Sequence, residues 1–392
     1  MRLSLLLSIL PLVAAGPAVM KRDEPAPLLT PRGEDDLIAD SYIVKFKEGS
    51  PMAKADGLFG ILNSQAKKNM FKGAFRGFAG KVNRLNLEAI QNHPDVEYIE
   101  QDGKYYLDGV LSQARAPWGL GRIAHREKGK NEYLFDERAG EGTCSYIIDS
   151  GIDADHPEFE GRAKFVAKFG SGPNADDCAH GTHVAGTIGS RTYGVAKKTK
   201  IFAIKALAME GIYCTTSMGS LVQAMNFVSS DSKKQDCPNG VILNMSLGGF
   251  KSRAINDAAR SLSREGIFVV AASGNKNQPA INYSPASEPE VCTVGATDIN
   301  DRRYVDSNYG PLVDINAPGV DIISTVPGGR VAAMTGTSMA SPHVAGLAAY
   351  LASVTGKRAG PESCDIIRGM ATKGAITNQV ADTVNLLAFN GI

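Results

Sequence analysis

The sequence predicts an α/β protein, a three-layer parallel sheet with helices on both faces, preceded by a small α+β module. Three observations carry that expectation. From about residue 111 onward, short apolar runs alternate with longer stretches of helical periodicity, and alternation of this kind makes a parallel sheet covered on both sides. Upstream, between about 41 and 106, strand-like segments of alternating polarity form a separate pattern. The chain is also long and apolar enough for a large core, with 392 residues of which 43% are hydrophobic, and its 42 glycines suit tight loops around a cleft. Charge is balanced, Lys+Arg 42 against Asp+Glu 41, so nothing recommends nucleic acid or an anionic membrane as partner.

At the start, Met1-Arg2 leads into the apolar run Leu3 to Val13 and then Ala14-Ala15-Gly16. A charged end, a short apolar run and small residues predict a secretory signal peptide over residues 1–16, the run being too short to span a bilayer. No other stretch reads as a membrane anchor; Val344 to Leu351 reads as a buried helix. In the small module, Ser41-Tyr42-Ile43-Val44-Lys45-Phe46 alternates like a strand and a polar helical stretch follows. Phe75 to Val82 reads as another strand, and Val96-Glu97-Tyr98-Ile99-Glu100-Gln101-Asp102 as an edge strand. The pattern is α+β, of the ferredoxin-like kind.

In the larger part, Tyr146 to Ile148, Ile201 to Ile204, Val241 to Met245, Phe268 to Ala272 and Val291 to Val294 read as strands. Helices are expected at about Thr182 to Ser190, Met218 to Ser229, Ala254 to Glu265 and Ala340 to Ser353. Chemistry in such sheets gathers at the carboxyl ends of strands. Asp149 follows one strand end, Ser246-Leu247-Gly248-Gly249 another and Asn275 a third, while His180 opens a helix and Ser338 sits just before one.

Three stretches then supply an acid, a base and a nucleophile: Ile148-Asp149-Ser150-Gly151, His180-Gly181-Thr182-His183-Val184-Ala185-Gly186 and Gly336-Thr337-Ser338-Met339-Ala340-Ser341-Pro342-His343. A serine hydroxyl is a poor nucleophile until a histidine takes its proton and a carboxylate orients that histidine. Singly, each stretch reads as a turn or a structural histidine. Together, in this order, they resemble the subtilisin family of serine proteases, in particular its proteinase K type. Ala116-Pro117-Trp118-Gly119-Leu120 resembles the opening of the mature enzymes, and the Tyr-Ile-Val-Lys-Phe and Val-Glu-Tyr-Ile-Glu segments resemble the family's propeptide.

The resemblance implies a secreted endopeptidase with a propeptide over 17–110, whose inhibitor-like module covers about 41–106, and a subtilisin-like catalytic domain over 111–392. Ser338 would attack the scissile carbonyl, His180 would shuttle the proton, Asp149 would orient His180, and Asn275 with the Ser338 N–H would hold the oxyanion. Ser246, Leu247 and Gly248 would pair with the substrate backbone. The matched stretches around Leu247, Ala272 and Gly274 contain no acidic residue to favour Arg or Lys, which predicts cleavage after aromatic or aliphatic P1 residues. Met209-Glu210-Gly211-Ile212-Tyr213-Cys214 departs from the family's small, Gly/Ser-rich edge, so bulk from Ile212 and Tyr213 is expected to narrow or refill the S4 and S2 region. The partners implied are protein or peptide substrates and the chain's own propeptide as inhibitor, the enzyme acting as a monomer.

No catalytic cofactor is implied, but structural calcium is, held by Asp314 and the carbonyls of Pro289 and Val291, an oxygen set that suits a hard cation. Ala375 stands where a second family site has an Asp. The resemblance pairs Cys144 with Cys237 and Cys292 with Cys364. In an oxidising compartment that leaves Cys178 and Cys214 for a third disulfide. A zinc site at Asp176-Asp177-Cys178-Ala179-His180 lacks a completing pair of ligands, and His156, His183 and His343 read as structural. The sequons at Asn244 and Asn282 are both expected in packed segments. Two other classes fit less well. A noncatalytic secreted binding scaffold would have lost a triad member, and a serine esterase would not need the Ser246-Leu247-Gly248 edge or an inhibitory module.

Overall fold

The computed structural model describes residues 24–30, 37–50, 70–103 and 109–392. The signal-peptide segment and the polar helical stretch expected after Phe46 lie outside the described residues. The chain divides into two compact units, Met1–Leu107 and Asp108–Ile392.

In the first unit, β1 (Leu28–Leu29), β2 (Leu37–Phe46), β3 (Met70–Lys72), β4 (Arg76–Lys81) and β5 (Val96–Gly103) form one sheet in the order β1-β5-β2-β4-β3. The alternation in β2 turns Val44 and Phe46 inward against Phe78, Ile90, Val96 and Ile99. β5 is not an edge strand. It pairs antiparallel with β2 and, on its other side, parallel with the two residues of β1. Strand polarity reports which face is buried, whereas edge status depends on a partner about 70 residues upstream. A helix not expected from the sequence, α1 (Arg84–Gln91), packs Ile90 into this core, and its start is marked by Asn83, whose side chain accepts from Asn86 N at 2.9 Å.

The second unit is built on a nine-stranded sheet. Its main strands are β6 (Cys144–Asp149), β7 (Ala163–Lys168), β8 (Lys200–Lys205), β9 (Val241–Met245), β10 (Phe268–Ala272), β11 (Cys292–Thr297) and β12 (Ile315–Pro318). They lie in the order β12-β11-β10-β9-β6-β8-β7, all parallel, with Leu386–Leu387 and Thr372–Lys373 beyond β12. These strands read as continuous apolar runs because both faces are covered. Tyr146 and Ile148 point to one side with Phe202, Ile204, Leu243 and Met245. Ile147 points to the other with Ile201, Ala203, Ile242 and Val270.

On the first side lie α3 (Met218–Asp231) and α4 (Arg253–Arg264), the latter burying Ile255, Ala259 and Leu262 at helical spacing. On the second lie α2 (His180–Gly189) and α5 (Thr337–Thr355), both rich in Gly, Ala, Ser and Thr. Small residues all round let α5 run through the core. After β6 the chain adds β7 and β8 on one side and β9 to β12 on the other. That reversal opens a crevice at the carboxyl end of β6, where ligands bind in sheets of this kind.

Candidate active site

Asp149 ends β6 and is fully buried. Its Oδ1 accepts from Ser150 N at 2.7 Å and lies 2.8 Å from His180 Nδ1. His180 is the first residue of α2, and this end of the helix presses directly on the turn after Asp149. A Cβ on Gly181 would meet Gly151 O at 2.2 Å, so only glycine permits the approach. Burial disfavours the His180 cation, but the charge and hydrogen bond of Asp149, with Asp176 behind, raise its pKa above the ordinary 6.5.

Ser338 is the second residue of α5, inside the helix rather than ahead of it. The helix starts early because Thr337 N is capped from another loop, donating to Asn275 Oδ1 at 2.8 Å. Thr337 Oγ1 donates to the same oxygen at 2.9 Å, which commits the Asn275 carbonyl and leaves its Nδ2 amide for the cleft. Ser338 Oγ donates to the Ser246 carbonyl at 2.9 Å. Pro342 has no N–H for the carbonyl of Ser338 four residues earlier. Ser246 Oγ supplies that donor at 2.7 Å, and it is itself held by Asn244 Nδ2 and Ser341 Oγ.

Motif reading gave Thr337 no role of its own and gave Ser246 only a place along the substrate backbone; Pro342, four residues past Ser338, was the available signal for the role of the Ser246 hydroxyl. Beyond the ends of β9 and β10, Leu247 and Gly274 are half-buried, Gly248 is exposed and Ala272 is buried. Gly249–Phe250 continues into an antiparallel pairing with Tyr283–Ser284. Ile212 and Tyr213 stand on the hairpin Ala208–Glu210/Tyr213–Thr215 and are 84% and 67% exposed. They rise from the surface and fill no space in the sheet.

The disulfides are Cys144–Cys237, Cys178–Cys214 and Cys292–Cys364, with Cα separations of 5.6, 6.1 and 5.7 Å. Cys178 is thus no thiolate for zinc, and its bond ties the loop before His180 to the hairpin. Asp314, Pro289 and Val291 line one cavity of about 510 Å³. Burial pushes the Asp314 carboxyl up to about 6, and its Oδ2 accepts from Thr293 N at 2.8 Å. A carboxylate is the kind of ligand a calcium ion takes, and Arg264 and Arg368 line the same cavity. The two sequons differ: Asn244 is fully buried, bonded to Ser246, while Asn282 is exposed, contrary to expectation, because the short helical turn Ala280–Asn282 bulges to the surface.

His183 and His343 are buried near α2 and α5, and desolvation lowers each pKa to about 4. Their unfolded value is about 6.5, so the stability they hold is complete above that pH and is lost as pH falls from 6.5 through 4. Each contributes about 3 kcal/mol of acid sensitivity. Urea unfolding of an inactivated enzyme between pH 7 and 4.5 is expected to show proton uptake on unfolding; a flat profile would contradict the assignment.

Residues 140–386 match the family model described as "Subtilase family", and residues 41–108 match "Peptidase inhibitor I9". A "Cuticle-degrading protease" of Metarhizium anisopliae is 50% identical over 392 residues, with 100% of both chains covered. A "Proteinase R" of Parengyodontium album is 49% identical over 393 residues, covering 100% of this chain and 99% of its own. A solved cold adapted subtilisin-like serine proteinase superposes with a TM-score of 0.65 at 34% identity, covering 71% of this chain and 99% of its own. With a fold, a propeptide module and full-length relatives in agreement, the chain belongs to the subtilase family of serine endopeptidases, of the proteinase K type.

Proposed function

We propose that the chain is a secreted endopeptidase that cleaves after apolar or aromatic residues by an Asp149–His180–Ser338 triad. What carries the reading is the conjunction of two contacts, the Asp149–His180 bond and the Thr337–Asn275 bond, which holds the Asn275 side chain at the residue before Ser338. Substrate backbone lies along Ser246-Leu247-Gly248 in strand fashion. Ser338 Oγ leaves the Ser246 carbonyl, gives its proton to His180 Nε2 and attacks the scissile carbonyl carbon. The resulting oxyanion is held by Asn275 Nδ2 and by Ser338 N–H, an uncommitted donor of the first turn of α5. His180 then protonates the leaving amine, and water, deprotonated by His180, releases the acyl group. His180 must be neutral to begin, so kcat/KM rises with pH through a pKa above 6.5.

The signal peptide over 1–16 directs export, the propeptide over 17–110 inhibits until it is cut, and the catalytic domain over 111–392 acts as a monomer on protein and peptide substrates. Calcium would be held by Asp314 with the carbonyls of Pro289 and Val291, supplying rigidity and no step of the reaction. Digestion of a peptide library, with N-terminal sequencing of the mature enzyme, tests specificity and boundary together; cleavage confined to simple esters would favour the esterase class. Asn275→Ala is expected to lower kcat by about 10²–10³-fold with KM little changed, the size measured at the equivalent donor of subtilisin. A chelator is expected to lower Tm by removing a ligand of the folded state, and Asp314→Ala to abolish most of that response. Unchanged calcium sensitivity in the variant would place the ion elsewhere.

A further inference from the structure

Beneath the Asp149–His180 contact lies a polar cluster that the chemistry above does not use. α2 begins without a local cap: Ala179, at the capping position, has φ 63 and no side-chain acceptor. The first N–H groups of a helix have no partner within it. Here two of them are taken by side chains outside the helix, one from the turn after Asp149 and one from the loop before α2. Gly181 N donates to Ser150 Oγ at 2.9 Å, and Thr182 N donates to Asp176 Oδ2 at 2.8 Å. The buried Asp176 also accepts from Thr182 Oγ1 at 2.6 Å, Ser150 Oγ at 2.7 Å and Cys178 N at 3.1 Å.

Ser150 follows Asp149, and Gly181 follows His180. The chain Gly181 N to Ser150 Oγ to Asp176 is therefore a second link between the two segments, one residue along from the acid–base bond itself. A one-point contact between a carboxylate and an imidazole leaves rotation about that contact free; a second, offset link removes it. Next to the cluster, Asp177 pairs at 2.6 Å with Lys205, a fully buried lysine whose Nζ also donates to Ser150 O at 2.9 Å. Lys205 lies opposite Asp149 in the β6–β8 register, so the ion pair pins the same turn from its other side.

We propose that Asp176 is a positioning residue of the hydrolytic reaction, its carboxylate setting, through Ser150 Oγ and the first turn of α2, the angle and distance at which His180 meets Asp149. The proposal rests on the triad reading above. Asp176 adds a second carboxylate that favours the His180 cation. The charged and titratable groups that act on His180 are then Asp149 from β6, Asp176 from the loop before α2 and His183 further along α2, while Asp177 of the same loop is paired with Lys205 from β8.

The test uses the mature secreted enzyme, with active sites counted by a fluorophosphonate and kcat and KM then measured on a peptide anilide with an apolar P1 residue, across pH 5 to 9. Asp176→Asn is expected to lower kcat per titrated site by roughly 10²-fold, the effect of a small misplacement of a catalytic group. KM should change little, and the acid limb should move to lower pH because a carboxylate that favours the His180 cation is gone. Ser150→Ala keeps both carboxylates. It is expected to lower kcat by about tenfold with the acid limb unmoved. Folded variants with wild-type kcat and wild-type pH profile would overturn the proposal, whatever their melting temperature. Should Asp176→Asn fail to fold, Ser150→Ala decides: a loss of kcat per titrated site supports positioning, and an unchanged kcat refutes it. A wild-type enzyme that does not react with the phosphonate, or a Ser338→Ala variant that still cleaves, would instead overturn the triad reading, and the proposal with it.

Discussion

Ser338→Ala is expected to lower kcat for peptide hydrolysis by about 10⁶-fold, the loss measured when the nucleophile is removed in subtilisin. Nothing near Ser338 can replace its hydroxyl. Thr337 Oγ1 is committed to Asn275 and Ser246 Oγ to the Ser338 carbonyl, so neither is free to attack. Residual turnover would come from the oxyanion donors and substrate binding alone, since Asn275 and the backbone N–H at 338 survive the change. The same variant should accumulate as an uncut precursor when expressed in a protease-deficient host, the result expected if the enzyme removes the inhibitor module by its own chemistry. Normal maturation of Ser338→Ala would show that another protease does the cutting, and peptide hydrolysis near the wild-type rate would end the triad reading.

Loss of the Cys178–Cys214 bridge should have the largest effect on stability among simple changes near the site. The bond closes a loop with a sequence separation of 36, for which the chain-entropy account gives about 4 kcal/mol. Replacing both cysteines by alanine in an inactivated background should lower the unfolding free energy by an amount of that order, read from urea denaturation. A smaller, separate effect on kcat is expected, because the bridge tethers the loop that carries Asp176 and Asp177. A loss below about 1 kcal/mol would mean that residual structure in the unfolded chain, or a cost of the bridge in the native state, offsets the entropic gain. Cys144–Cys237, with a separation of 93, closes a longer loop but joins the far end of β6, away from the cleft.

The sequence by itself determined whatever depends on local pattern. Val241–Met245 and Phe268–Ala272 are strands over the very residues their apolar runs mark, because a strand buried on both faces needs apolar side chains at every position. The proposed acid, base and nucleophile were legible as motifs because each is embedded in small residues that the close approach of backbone demands, as at Gly181 over Gly151. The Cys178–Cys214 pair followed from counting only once the family resemblance had supplied the other two pairings.

Only the tertiary structure decided contacts whose partners are far apart in the chain. The two residues of β1 cover β5 and remove its edge, Ser150 caps, from 31 residues away, a helix whose own capping residue is an alanine, and Asn275 starts α5 from 62 residues away. Ser246 replaces the hydrogen bond that Pro342 cannot make, across 92 residues. None of these leaves a periodic trace. Periodicity records how a segment meets the core, while a cap or a buried carboxylate is satisfied by whichever donor the packed fold brings within hydrogen-bond reach, and that is settled only when the sheet has assembled.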